Sequence, residues 1–73
     1  MQYNWHMEIF AKRIKELRTE MQLSTYDIGK KIDVKNSTIS RWENNKTDAK
    51  GPELVKLAKL FKVTTDYLLG LED

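Results

Sequence analysis

Arg41 and the short polar side chains Asn36, Ser37 and Ser40 form the densest set of directional hydrogen-bonding groups in the chain. They surround Ile39 and Trp42, two apolar residues three positions apart. On a helix that spacing turns Ile39 and Trp42 inward together. Asn36, Ser37, Ser40 and Arg41 then face out, with Thr38 on the flank. Such a face suits the edges of nucleic-acid bases. An arginine can hold guanine O6 and N7 with two hydrogen bonds, worth about 1–3 kcal/mol of discrimination. Short amides and hydroxyls reach base edges without crowding a groove about 12 Å wide. Lys35, Lys46 and Lys50 flank the segment and offer point charges suited to phosphate.

Bond-making chemistry finds no comparable support. There is no cysteine, so thiol catalysis and Cys-based zinc sites are excluded, and the one histidine, His6, cannot build a metal site alone. Asp27, Asp33 and Asp48 read as a capping residue, a turn residue and a loop residue rather than acid–base groups. No Ser-His-Asp set and no phosphate-binding glycine loop is present. A chain of 73 residues also leaves little room for a substrate pocket of ordinary size. Trp42 could serve as a stacking platform for single-stranded bases. Its place three residues after Ile39 favours the core instead. The expectation is a binding protein, not an enzyme, with no cofactor and no metal.

The elements that must position these groups are helical. One proline and three glycines argue for helices with short joints. Phe10, Ile14, Leu17 and Met21 fall on one face of a helix over 7–21. Ser24 is a good N-cap for a helix over 25–32, with Asp27 as its capping-box partner and Leu23 and Ile28 at staple spacing. Gly29, costly inside a helix, implies that another helix passes very close. Asp33-Val34-Lys35 is a tight turn, with Val34 plugging the core. A helix over 36–44 follows, with Asn45 as its left-handed end. Pro52 opens a helix over 52–61 that buries Leu54, Leu57, Ala58 and Phe61. Thr64 caps a short last helix that buries Leu68. Residues 1–7 are expected to be a flexible lead-in, 8–70 one domain and 71–73 a tail. Trp5 has no assigned place beyond packing back on the bundle. Tyr67, Leu69 and Leu71 could stay exposed as a self-association patch, pack on the first helix or lead into a further domain.

Charge is uneven: the balance is 0 over residues 1–29, +3 over 30–50 and −1 over 51–73. A basic middle implies one positive face. No apolar run exceeds three residues and no secretory signal is visible, so a cytoplasmic protein with no membrane partner is expected. Two short helices joined by about three residues, the second with few anchors behind a polar front, have the layout of a helix-turn-helix.

Order and spacing extend the likeness. R-I-K-E-L-R at 13–18, L-S-T-Y-D-I-G-K-K-I at 23–32, V-K-N-S-T-I-S-R-W-E-N-N-K at 34–46 and L-V-K-L-A-K-L-F-K-V-T-T-D-Y-L-L-G at 54–70 resemble the phage-repressor-like regulators of the Cro/cI type, the Xre family. The resemblance covers roughly 9–70. It implies an all-α, five-helix, lambda-repressor-like DNA-binding domain whose helix-turn-helix is formed by helices 2 and 3. By that resemblance Thr25, Asn36, Ser37, Ser40 and Arg41 occupy base-contact positions. Ser24, Lys35, Asn44, Lys46, Lys50 and Gly51 are the phosphate candidates. Arg18, late in helix 1, is implied to pair with Glu43. The partner implied is double-stranded DNA carrying a pseudo-palindromic operator, bound by a homodimer. The sequence departs from the family pattern at Thr25 (often Gln), Gly29 (usually Ala), Asp33 (usually Gly) and Lys35 (usually Ser or Thr). With lysine a poor cap, Asn36 could cap helix 3 instead and lose its base contact. The functional expectation is a transcriptional regulator, a repressor by operator occupancy. The alternative is an antitoxin or adaptor that uses the same fold to bind protein.

Overall fold

Phe10, Ile14 and Leu17 line the inner face of α1, Trp5–Glu20, in a computed structural model that describes residues 5–73, with side chains from residue 8 onward. The helix starts two residues before the apolar spacing predicts. The expectations for residues 1–4 and for the side chains of Trp5 and His6 lie outside the described residues. Met21 continues the spacing but is 46% exposed. The cause is local: α1 stops at Glu20 and Gln22 takes φ +58°, which swings the chain off the helical path.

Four further helices follow: α2 (Thr25–Ile32), α3 (Asn36–Glu43), α4 (Gly51–Phe61) and α5 (Thr65–Leu68). α3 packs on α1 and α2, while α4 and α5 close the far side. The core they share holds Phe10, Ile14, Ile28, Ile39, Trp42, Leu57 and Leu68, each less than 2% exposed. Phe10 meets Trp42 edge to face, with ring centroids 6.2 Å apart. Ala49 is also buried, and it anchors the loop between α3 and α4 from below.

One device ends all five helices. A residue with positive φ (Gln22, Asp33, Asn45, Lys62 or Gly70) follows the last turn. The next N–H then donates to a carbonyl five residues back: Leu23 to Arg18 at 3.1 Å, Val34 to Gly29 at 2.9 Å, Lys46 to Arg41 at 2.8 Å, Val63 to Ala58 at 3.0 Å and Leu71 to Asp66 at 2.8 Å. This is the Schellman closure, and it satisfies carbonyls that a helix end would otherwise orphan. In three of the five joints the donor is apolar and drops onto the core: Leu23, Val34 and Val63. The reversals therefore double as core contacts.

Four of the left-handed positions carry a Cβ that clashes in that conformation, at roughly 1–2 kcal/mol for ordinary residues. Lys62 is exposed and its side chain has no partner among the described residues, so Lys62→Gly is expected to stabilise the domain by about 1 kcal/mol. A melting temperature raised by roughly 4–8 °C would register it. The reverse change at Gly70, φ +81°, should destabilise, because a Cβ there would stand 2.7 Å from Ile9 Cδ1.

The C-terminal residues are tied down. The Arg13 guanidinium lies over the Tyr67 ring at 4.1 Å, donates to the Tyr67 carbonyl, and reaches the Glu72 carbonyl at 2.8 Å. The Thr64 hydroxyl donates to the Glu72 carboxylate and accepts from Tyr67 N–H at 2.9 Å. Tyr67 is thus half-buried against α1 rather than left open, and Leu71 alone of the three apolar candidates is exposed, at 57%.

Candidate nucleic-acid interface

The entry to α2 is fixed by its own cap. Ser24 Oγ accepts from Asp27 N–H at 2.9 Å, and Asp27 Oδ2 accepts from Ser24 N–H at 2.9 Å. The Ser24 hydroxyl keeps its own proton free on an exposed edge. The backbone hydrogen bond from Ser24, with the Ser24 side chain next, holds the Asp27 carboxyl below its ordinary value. Its folded pKa therefore lies below the unfolded value of about 3.9. The stabilisation is present above that value and lost as pH falls through the depressed one. Asp27→Asn should lower stability at neutral pH, and the gap to the parent should close below about pH 4. Urea melts across a pH series would reveal it.

Gly29 decides how close α3 can sit. A Cβ there would overlap the Val34 carbonyl oxygen and stand 3.3 Å from Asn36 N. The near neighbour is thus the turn and the first residue of α3, not the body of a passing helix. Asp33 makes the turn in the left-handed conformation, φ +62° and ψ +51°.

α3 presents its polar front without a side-chain cap. Lys35 is the N-cap and makes no side-chain cap bond, so Asn36 lies within the first turn and is not the cap. Ile39 and Trp42 are each 1% exposed, while Asn36, Ser37 and Arg41 are exposed and Ser40 is half-buried. Positions 36 and 40, and 37 and 41, are one turn apart, so they share a face. From Asn36 to Asn44 that face runs about 12 Å at the helical rise. Asn44 folds back on the same helix, its amide donating to the Ser40 carbonyl at 2.8 Å.

The remaining positions border this front in sequence. Thr25 is half-buried beside Ser24. Lys35, Lys46, Lys50 and Gly51 are exposed. Lys50 is the N-cap of α4, its N–H donating to Glu53 Oε1 at 2.8 Å, and the space over Gly51 is open. The loop from α3 to α4 owes its position to buried Ala49, which no periodicity marks.

Behind the front, Arg18 and Glu43 meet as a fork. Arg18 Nε donates to Glu43 Oε2 at 2.6 Å and Nη2 to Oε1 at 2.9 Å, while Nη1 donates to the Leu23 carbonyl at 2.9 Å. The side chains are 19% and 7% exposed. The hydrogen bonds to Glu43 raise the Arg18 pKa further, so the guanidinium stays charged. One side chain therefore ties α1, the α1–α2 joint and the end of α3 together. Among the described residues no cluster of three or more His, Cys, Asp or Glu could hold a metal, and no helix is long and apolar enough to cross a membrane.

The helix-turn-helix family profile matches residues 14–68. Among curated proteins the chain is similar to the HTH-type transcriptional regulator ImmR of Bacillus subtilis (strain 168). The two are 34% identical over 63 residues, 86% of this chain and 50% of that protein. It is 32% identical over 62 residues to Repressor protein C2 of Salmonella phage P22, covering 85% of this chain and 29% of that protein. The chain thus spans half or less of the length of these two relatives. Among solved structures, the P22 c2 repressor protein in complex with a synthetic operator superimposes with a TM-score of 0.82 at 32% identity, over 86% of this chain and 96% of that one. The solution structure of the P22 c2 DNA-binding domain gives 0.77 at 33% identity, over 82% of this chain and 79% of that one.

Proposed function

The chain belongs to the helix-turn-helix family of the Cro/cI type, and from that premise we propose that it is a sequence-specific, double-stranded DNA-binding transcriptional repressor. The observation that carries the reading is the split of α3: Ile39 and Trp42, 1% exposed, hold it from behind while Asn36, Ser37 and Arg41 stand in solvent. A helix anchored by two residues at its back can enter the major groove with its front free. Arg41 takes a guanine edge. Asn36, Ser37, Ser40 and Thr25 supply the shorter contacts. Ser24, Lys35, Asn44, Lys46, Lys50 and Gly51 meet phosphates on either side, and residues 8–70 act as the DNA-binding unit. Two copies place their α3 helices about 34 Å apart on a pseudo-palindromic operator, and occupancy of that operator blocks transcription. The action is binding, without a catalytic step or cofactor, in the cytoplasm where such DNA lies.

In vitro selection of bound duplexes, repeated with Arg41→Ala, tests the reading. The parent is expected to select two half-sites one helical turn apart. The variant should lose preference at one base pair per half-site, worth about 1–3 kcal/mol. Unchanged selectivity would remove the base contact from Arg41. A parent without saturable, salt-dependent binding would remove the function.

A further inference from the structure

Tyr26 has no place in the contacts assigned above, yet at 59% it is the most exposed of the large apolar side chains described. Aromatic side chains bury 150–250 Å² where a fold uses them, and Tyr26 leaves most of that surface open. Its ring has one neighbour of note: the Lys30 ammonium, one turn further along α2, 5.5 Å from the ring centroid. Both residues line a shallow depression between α2 and the first turn of α3, together with Lys35, Asn36 and Ser37. Lys30 and Lys35 outnumber the one carboxylate lining it, Asp33. The depression therefore offers a phenol hydroxyl and two ammonium groups directly beside the polar front of α3.

The geometry points to Tyr26 and Lys30 as a backbone clamp, in which the Tyr26 hydroxyl donates to, and Lys30 neutralises, the phosphodiester strand bordering the groove that α3 enters. This rests on the DNA-binding reading and adds to it a second edge of contact. Phosphate is the ligand because the pair offers donors and positive charge and no base-sized acceptor pattern. A contact on this side of α3 and others at Lys46 and Lys50 beyond its far end would fix how the helix is rolled in the groove. Backbone contacts set register and affinity and carry no sequence information of their own.

The test uses the full chain, the selected operator and a random-sequence duplex of equal length, titrated at several salt concentrations. Tyr26→Phe is expected to weaken binding to both duplexes about tenfold, the loss of one hydrogen bond to a charged acceptor. Lys30→Gln should reduce the slope of log affinity against log salt by about 0.9 for both. Melting temperatures equal to the parent's would confirm that both exposed side chains are dispensable for folding. Affinities and slopes unchanged in both variants, with the parent binding normally, would overturn the clamp and leave the DNA-binding reading intact. A loss confined to the operator would also overturn it, since that would make Tyr26 a base contact. A parent that binds neither duplex would bring down both readings at once.

Discussion

Gly29→Val is expected to lower stability by about 3 kcal/mol or more and to move the melting temperature down by at least roughly 12 °C. Even a single Cβ at this position overlaps the Val34 carbonyl oxygen, and the obstacle is backbone rather than a side chain that could rotate away. The same backbone stretch makes the joint: Val34 N–H donates to the Gly29 carbonyl at 2.9 Å, and Val34 itself packs on the core. Room for a valine can come only from pushing the turn off α2, which breaks that closure and lifts α3 from its seat. A domain of this size holds only about 4–11 kcal/mol in reserve, so the loss is a large fraction of the total. Gly29→Ala sets a helix-propensity gain of about 1 kcal/mol against the same overlap and should fall between the two. Thermal melts followed by circular dichroism are the measurement. A valine variant melting within 3 °C of the parent would mean that α2 and α3 are not packed as closely as described.

The second large effect concerns Arg18. Arg18→Met should destabilise by roughly 2–4 kcal/mol, because it strands a carboxylate whose side chain is 7% exposed. It also leaves the Leu23 carbonyl without its side-chain donor. The pair itself is worth less than its breakage suggests, since burying two charges carries its own desolvation penalty. Arg18→Met combined with Glu43→Leu should therefore recover much of the single-variant loss. Arg18→Lys should not, because an ammonium cannot reproduce the two-pronged contact and reach Leu23 as well. Urea unfolding of the single and double variants gives the cycle. Simple additivity of the two single losses would show that the pair does not act as a unit.

Much of this architecture is legible in the residues because it rests on local rules. The capping box at Ser24 and Asp27, the left-handed Asn45 and the buried pair Ile39 and Trp42 all follow from short-range spacing. What escaped is set by tertiary contact or by joint geometry. Met21 fits the apolar face of α1 by periodicity, but the closure at Gln22 ends the helix before that face reaches it. Ala49 lies in a loop, where no repeat marks an inward position. Gly29 announces a close approach without saying to what. Arg13 reads as one more charge on α1, since its partners, Tyr67 and Glu72, lie more than fifty residues away. The front of α3 was readable for the same reason as the core behind it: both are phases of one helical period. Tyr26 was not, because an exposed aromatic on a capped helix has meaning only once its neighbours across the turn are known.

The uncapped start of α3 carries a consequence of its own. A serine or threonine in place of Lys35 would add about 1 kcal/mol of folding stability by accepting a first-turn amide proton. With lysine there, the amide protons of Asn36 and Ser37 find no acceptor among the described residues, while those of Thr38 and Ile39 both go to the Lys35 carbonyl. An acceptor brought to this edge would meet the Asn36 and Ser37 donors without breaking an internal bond. The chain gives up some robustness of the domain and leaves the first turn of α3 uncommitted.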